Sequence, residues 1–378
     1  MSIYLDNAAT SYPKPESVYQ AVMHTMREVG ASPGRGGHRR SLEAGRIMLQ
    51  AREAAAALFS APDSSRIILT HSATESLNMA LRGTLAPGDH VITSSMEHNS
   101  LMRPLRMLEK QGVDLTVVQA GTDGTIDHED VRRALTPRTR MIAISHVSNV
   151  SGTIQPITRI SAIAREAGAL FLLDAAQSAG NIPIDVVSSG IDLLAVPGHK
   201  GLYGPQGTGL LYAASHVALT PLLTGGTGTN STSEDQPEAM PDGFEAGTHN
   251  LPGIAGLRAG MEIVMEQGVS IISEHERALV SYAIEKLLRL PQITLHSPLD
   301  PALRGAVLSF TIAGKDSAEV AFELDGRFDI AVRAGLHCAP RAHRTLGTFP
   351  GGTVRMSPGW FTSREDIAIF TDAVVQCL

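Results

Sequence analysis

The chain has 378 residues, 43% of them hydrophobic and 18% charged, with a formal net charge of −7. That length can bury a large core and suggests two domains, and the acidic balance disfavours nucleic acid or an anionic membrane as a partner. There is no long apolar run, the start "MSIYLDNAATSYPKP" has no signal-peptide pattern, and the cysteines are Cys338 and Cys377. A chain that does not span a membrane and works in a reducing cytoplasm is therefore expected.

Two helices are predicted first. They are "PESVYQAVMHTMREV", with Val18, Val22 and Met26 on one face, and "SLEAGRIMLQAREAAAALF". Between them "GASPGRGGHRR" (30–40) is a Gly- and Arg-rich loop. Short apolar runs then alternate with helical segments. Strands are predicted at 66–70, 90–94, 114–120, 141–146, 170–174, 193–196 and 208–213, with helices at Ser76–Arg82, Met102–Gln111 and Ile157–Ala167. Alternation of this kind implies crossover connections, hence a seven-stranded, mostly parallel sheet in an α/β domain, with ligands beyond the carboxyl ends of the strands. The segment 224–250 is a long, polar loop, a length that usually carries function or disorder. The chain then turns helical, passes through short strands and ends in "TSREDIAIFTDAVVQCL", where Thr362 and Glu365 are spaced as a capping box. A large domain is expected over 16–255, and a smaller α+β domain over 1–15 and 256–378.

The residues that follow each strand are chemically suggestive. After "RIILT" comes "HSATESLN", where Ser72 and Glu75 match a capping box and the helix N-terminus offers an anion site with Thr74. His98 follows the second strand, and Asn149 follows "MIAISHVSN". Asp174 ends the very apolar "LFLLD", with Gln177 three residues on; a carboxylate there is costly without a cation. "LLAVPGHKGLYGPQGTGLLY" then places His199 and Lys200 between two strands that both read as buried. Each feature alone also reads as a cap or a satisfied turn residue. Together they offer an anion site, a ring, an amide, an acid and a lysine at one sheet edge. Pyridoxal phosphate would use all five, through its phosphate, flat ring, ring oxygen, pyridinium nitrogen and lysine-reactive aldehyde.

At this point the sequence resembles the cysteine desulfurases of the class V aminotransferase group, which are fold-type I pyridoxal-phosphate enzymes. The resemblance rests on "YLDNAAT", "SATESLN", "MEHNS", "HVSNVSGTIQP", "LLDAAQSAGNIPIDV", "PGHKGLYGPQGTGLLY", "FEAGT", "VRAGLHCAP" and "VRMSPGWFT". It implies that Lys200 holds the cofactor covalently and Asp174 pairs with the ring nitrogen. Gln177 would bond the ring oxygen, His98 would stack on the ring with Asn149 nearby, and Ala73, Thr74 and His199 would hold the phosphate. Thr248 in "FEAGT" would reach the phosphate of a partner subunit, making a homodimer. Arg355 would clamp the substrate carboxylate, and Cys338 would take sulfur from L-cysteine as a persulfide, releasing L-alanine. His337 and Arg333 would activate the thiol if they face it, and Cys377 reads as a packing thiol. No metal site is expected, and a sulfur-acceptor protein is a plausible partner, as in iron–sulfur cluster assembly.

Three departures from the family pattern stand out: Pro197 in place of a phosphate-binding serine, Leu336 in place of a histidine, and Trp360-Phe361 in place of Tyr-Asn. The last two are expected around the substrate pocket. A selenocysteine lyase, a transaminase or epimerase of the same fold, and a non-catalytic sulfur-relay scaffold are the competing readings.

Overall fold

The computed structural model describes residues 2–34, 36–229 and 232–378; Arg35 of the first polar loop and Asn230 and Ser231 of the second lie outside the described residues. The strands are, in chain order, β1 (Ile3–Tyr4), β2 (Ile67–Thr70), β3 (His90–Ser94), β4 (Asp114–Val118), β5 (Thr139–Ser145), β6 (Leu170–Asp174), β7 (Leu193–Pro197), β8 (Gly209–Ala213), β9 (Ile293–Leu295), β10 (Leu308–Ile312), β11 (Ile330–Ala331), β12 (Arg333–Gly335) and β13 (Thr353–Met356).

Seven of them form one sheet in the order β2-β8-β7-β6-β5-β3-β4. Neighbours from β7 through to β4 run parallel, and β8 runs antiparallel to both β7 and β2. The central strands β6 and β7 are buried at every residue, which explains their unbroken apolar sequence: helices cover both faces. Edge strand β4 reads differently, with Asp114 exposed and the next three residues half-buried. The other edge, β2, is closed by side chains. Glu245 accepts from the Leu69 N–H at 2.7 Å, and Arg52 Nε donates to the Ile67 carbonyl at 3.2 Å. Arg52 and Glu245 also form an ion pair. Edge protection of this kind blocks pairing with another chain, and here it also anchors the "FEAGT" segment.

The helices Ala73–Thr84, Asn99–Lys110 and Ile157–Glu166 match the predicted segments; the first two open shortly after their strands end, and the third follows β5 after a longer loop. The predicted caps need correction. Ser72 Oγ accepts from Glu75 N–H at 3.2 Å, but the Glu75 carboxylate turns back to the His71 N–H at 2.6 Å, so the reciprocal half of the box is absent. The last helix, Arg364–Gln376, has its full capping box one residue later than predicted, on Ser363 and Asp366. Thr362 Oγ1 is used instead by the Gly359 N–H. The predicted face of the first helix also changes. Glu16–His24 passes into a π-helical turn, Thr25–Val29, whose wider winding buries Thr25 and Val29 and leaves Met26 65% exposed.

A second sheet, β12-β13-β10-β9, is antiparallel throughout, and β1 pairs in parallel with β11. Ile3, Leu5, Phe310, Val354, Ile367 and Phe370 belong to its separate apolar core. The N-terminal strand is thus stitched to the C-terminal third, while the helix Leu251–Gln267 packs against the two N-terminal helices. Cys377 is buried in this second core as a small apolar group. No helix among the described residues is long and apolar enough to cross a membrane.

Candidate active site

The carboxyl ends of β2, β3, β5, β6 and β7 converge on one cavity of about 230 Å³. Ala73 and Thr74 enter it from the start of the helix after β2, His98 from the turn after β3, and Asn149 from beyond β5. Asp174 and Gln177 come from the end of β6, and His199 and Lys200 from the end of β7. These eight of the predicted residues are therefore brought together with a ninth, Arg355, which closes the other side with Arg333 from the second sheet. Gly209 opens β8 against the turn at Ser72: a Cβ there would stand 2.8 Å from the Ser72 carbonyl carbon, so only glycine permits this approach.

The electrostatics follow from burial. Lys200 is pushed down to about 8 by loss of solvent, with Asp174 opposing the shift. Asp174 is raised by the same burial, against stabilisation from the Ala176 N–H, Lys200 and Ser145. His98 is lowered to about 4, first by burial and then by Lys200 and nearby arginines, so its ring is neutral at physiological pH. Its Nδ1 accepts from the Ser100 N–H at 3.0 Å, capping the helix that follows. His199 is likewise lowered to about 4 by burial, and its Nδ1 is buried with no protein partner.

An orphaned buried nitrogen in a chamber whose other groups are a helix start, an acid and a lysine suits a ligand with a polar end. The donor set fits pyridoxal phosphate: a helix N-terminus and His199 for an anion, Asp174 for a ring nitrogen, and a poised amine for an aldehyde. Pro197 lines the cavity where the family's serine would stand, and it has no hydroxyl to offer.

The cysteine loop lies on the rim. His337 and Cys338 both have left-handed backbone, φ 46° and 57°, which turns the chain tightly between β12 and the helix Pro340–Thr345. The Asn99 N–H donates to the Cys338 carbonyl at 2.8 Å, and Asn149 Nδ2 to the His337 carbonyl at 2.7 Å, so both walls of the cavity hold this loop. Cys338 is exposed, and Arg333 Nη2 lies 3.7 Å from its Sγ. The expectation for the two activators therefore splits. Arg333 faces the sulfur, whereas the His337 ring is buried on Thr353 Oγ1 at 3.1 Å and pushed down to about 2, chiefly by burial.

One further placement differs from expectation. Trp360 and Phe361 do not line the cavity: Phe361 packs edge-on to Tyr203 and Trp360 edge-on to His275. The chain is drawn away because Thr362 is buried and caps its own turn. Thr248, expected to serve the site of a partner subunit, is exposed and does not line the cavity of its own chain.

Sequence reasoning missed three contributors. Asp6 pairs with Arg355, Glu97 lies behind Asp174, and Ala8 accepts from Gln177 Nε2 at 3.0 Å. Their signals were present in "YLDNAAT" and "MEHNS", but nothing in the linear order shows that residues 6 and 355 meet.

The whole-chain comparisons agree with this geometry. The family model for class V aminotransferases matches residues 3–370. This chain belongs to the class V aminotransferase family, among its cysteine desulfurases. It is 36% identical to the "Probable cysteine desulfurase" of Methanothermobacter thermautotrophicus, covering 98% of this chain and 94% of that one. It is 37% identical to the cysteine desulfurase of Klebsiella pneumoniae, covering 89% and 84%. Among solved structures, the apo cysteine desulfurase of Thermococcus onnurineus superposes with a TM-score of 0.93 at 33% identity, covering 100% of this chain and 94% of that one. Escherichia coli CsdA, in an S-sulfonic acid form, gives 0.90 at 31% identity, covering 99% and 94%. A seven-stranded, mostly parallel sheet with covering helices is the shared architecture.

Proposed function

We propose that this chain is a pyridoxal-phosphate-dependent cysteine desulfurase that converts L-cysteine to L-alanine and takes the sulfur onto Cys338. The observation that carries the reading is an exposed thiol on a left-handed loop, tied by Arg333 to the cavity that holds the half-buried Lys200 and the buried Asp174. Lys200 would hold the cofactor covalently, Asp174 its ring nitrogen, Gln177 its ring oxygen and His98 its face, with Ala73, Thr74 and His199 on the phosphate. When bound, pyridoxal phosphate supplies an electron sink for the bonds at the substrate's Cα.

The protein's own groups do the rest. Arg355 orients the substrate through its carboxylate, a planar task suited to a guanidinium. Lys200, with its proton affinity reduced by burial, removes the Cα proton at Nζ and later returns one. The Cys338 thiolate attacks the substrate sulfur; the carbon–sulfur bond breaks, a sulfur–sulfur bond forms, and the electron pair stays with the substrate carbon, which is protonated to give alanine. Arg333 Nη2, 3.7 Å from Sγ, ties the thiol to the wall of the cavity. Exposure of Cys338 leaves the persulfide open to an acceptor thiol.

Thr248, exposed and outside the lining of its own cavity, supports a homodimer in which it serves the partner's phosphate site. Two free cysteines, one of them on the surface, suit a reducing cytoplasm. The test is product analysis. L-cysteine should give equal sulfide and alanine in the presence of a thiol reductant, and Cys338→Ala should abolish both. Turnover of L-selenocysteine that survives Cys338→Ala, with none of L-cysteine, would favour a selenocysteine lyase.

A further inference from the structure

Glu245 stands three residues before Thr248, and its carboxylate is buried at the outer edge of β2. Its Oε1 accepts from the Leu69 N–H at 2.7 Å, and its Oε2 pairs with Arg52 of the helix Arg39–Phe59, whose Nε donates to the Ile67 carbonyl at 3.2 Å. Both carboxylate oxygens are thus committed, one to the strand and one to the helix. His249, the residue after Thr248, places Nε2 3.7 Å from the same Oε2. Gly247, at φ 107°, adopts backbone that favours glycine, and its N–H donates to the Gly226 carbonyl at 2.9 Å. Asn250 Oδ1 accepts from the Gly253 N–H at 3.1 Å and caps the helix Leu251–Gln267. Thr248 is therefore held from both sides along the chain while it is itself exposed.

A buried ion pair adds little net stability, and an apolar pair of equal volume would hold the segment as firmly. What a charge pair and directed hydrogen bonds add is register: each atom has its own partner, so the segment fits in one place only. β2 is a firm anchor, because its inner edge pairs with β8 at every residue from Ile67 to Thr70. We infer that Arg52 and Glu245 are positioning residues for the partner's site: the pair fixes Thr248 at the surface, in the register at which it serves the partner's phosphate. Loss of the pair leaves the β2–β8 ladder in place but detaches the segment before Thr248 from the sheet. The partner's site is therefore the one that suffers. The inference rests on the proposed dimer and on the role proposed for Thr248 in it.

Mixed dimers separate this role from a merely structural one. Each is assembled from two differently tagged chains, one of them Lys200→Ala, stripped of cofactor and titrated with pyridoxal phosphate. Only the chain that keeps Lys200 gives lysine-bound visible absorbance, and the Thr248 at its site comes from the other chain. With Glu245→Ala on the Lys200→Ala chain, affinity should fall on the order of tenfold, as if Thr248 itself were lost. With Glu245→Ala on the chain that keeps Lys200, affinity should stay within about threefold of the dimer carrying Lys200→Ala alone. Thermal melting checks folding, and Glu245→Gln, which keeps an acceptor for Leu69 but gives up the ion pair, should show the same asymmetry in smaller measure. Equal losses in the two arrangements, a larger loss with the change on the lysine-bearing chain, or no loss in either would overturn the inference. Thr248→Ala on the Lys200→Ala chain is the control: undiminished affinity there would overturn the shared-site reading, and the inference with it. Wild-type protein that binds no pyridoxal phosphate would overturn the cofactor reading itself.

Discussion

Arg355 Nη2 lies 2.6 Å from Asp6 Oδ1, so the guanidinium assigned to a substrate carboxylate already faces a carboxylate of the protein. Its Nη1 donates to the Asn149 carbonyl at 3.0 Å, and the side chain is 1% exposed. A buried guanidinium needs such partners to exist, and they fix its plane before substrate arrives. Arg355→Lys keeps a charge but loses the fork; kcat/KM for L-cysteine is expected to fall by roughly 10- to 100-fold, the worth of one charged hydrogen bond or a little more. Asp6→Asn still accepts from Nη2 and should cost less than Arg355→Lys. Equal losses in steady-state kinetics would mean that Arg355 acts only as the partner of Asp6.

Lys200 predicts a pH dependence of stability in the cofactor-free protein. Its folded value, about 8, lies below the usual 10.5, so between these the unfolded chain binds more protons and stability rises with pH. Below about pH 8 the folded protein carries the cost of burying a charged lysine. Lys200→Met should therefore be more stable than wild type at pH 7, by on the order of 2 kcal/mol, and the advantage should vanish above about pH 10.5. Urea unfolding across that range checks it; a pH-independent difference would contradict it.

His98 does two jobs that substitution can separate. As the cap of the helix Asn99–Lys110, its Nδ1 takes the Ser100 N–H. Asparagine can replace that acceptor, whereas alanine cannot, and the lost cap costs about 1 kcal/mol. His98→Asn should therefore melt close to wild type, and His98→Ala lower. Both should bind pyridoxal phosphate more weakly, because neither offers a ring to stack. Undiminished affinity in His98→Asn would remove the stacking role.

Thr248 offers a test of the shared site. If it serves the partner's phosphate, Thr248→Ala should weaken cofactor binding by on the order of tenfold, the loss of one hydrogen bond to a charged group. Mixed dimers of Thr248→Ala with Lys200→Ala should then contain one site with normal affinity, since the lysine of one chain meets the threonine of the other. Mixed dimers that show only weakened or absent sites would place Thr248 in its own chain's function.

Much of this was legible in the sequence because five of the seven strands of the large sheet, β2, β3, β5, β6 and β7, end where the chemistry begins. Apolar runs such as "LFLLD" mark buried strands, and the first polar residue after each is held at the same edge by the parallel topology. The failures were of two kinds. Cap register was misjudged at Thr362 because Ser363 and Asp366 satisfy the same spacing one residue on, and only the path of the chain decides between them. Contacts across the chain, Asp6 with Arg355 and Glu97 with Ser145, have no periodicity to betray them. His337 shows a third limit: adjacency to Cys338 in sequence says nothing of direction, and two successive left-handed residues turn its ring inward while the thiol turns out.

The central claim is that sulfur leaves L-cysteine by way of Cys338 in the cavity built around Lys200. Mass analysis of the intact protein after a single exposure to L-cysteine, without reductant, tests it most directly. The account predicts an added mass of one sulfur atom, about 32 Da, on the peptide containing Cys338, with alanine released in equal amount and neither seen in Cys338→Ala. Alanine formed at the wild-type rate by Cys338→Ala, or the added sulfur found on Cys377, would contradict it.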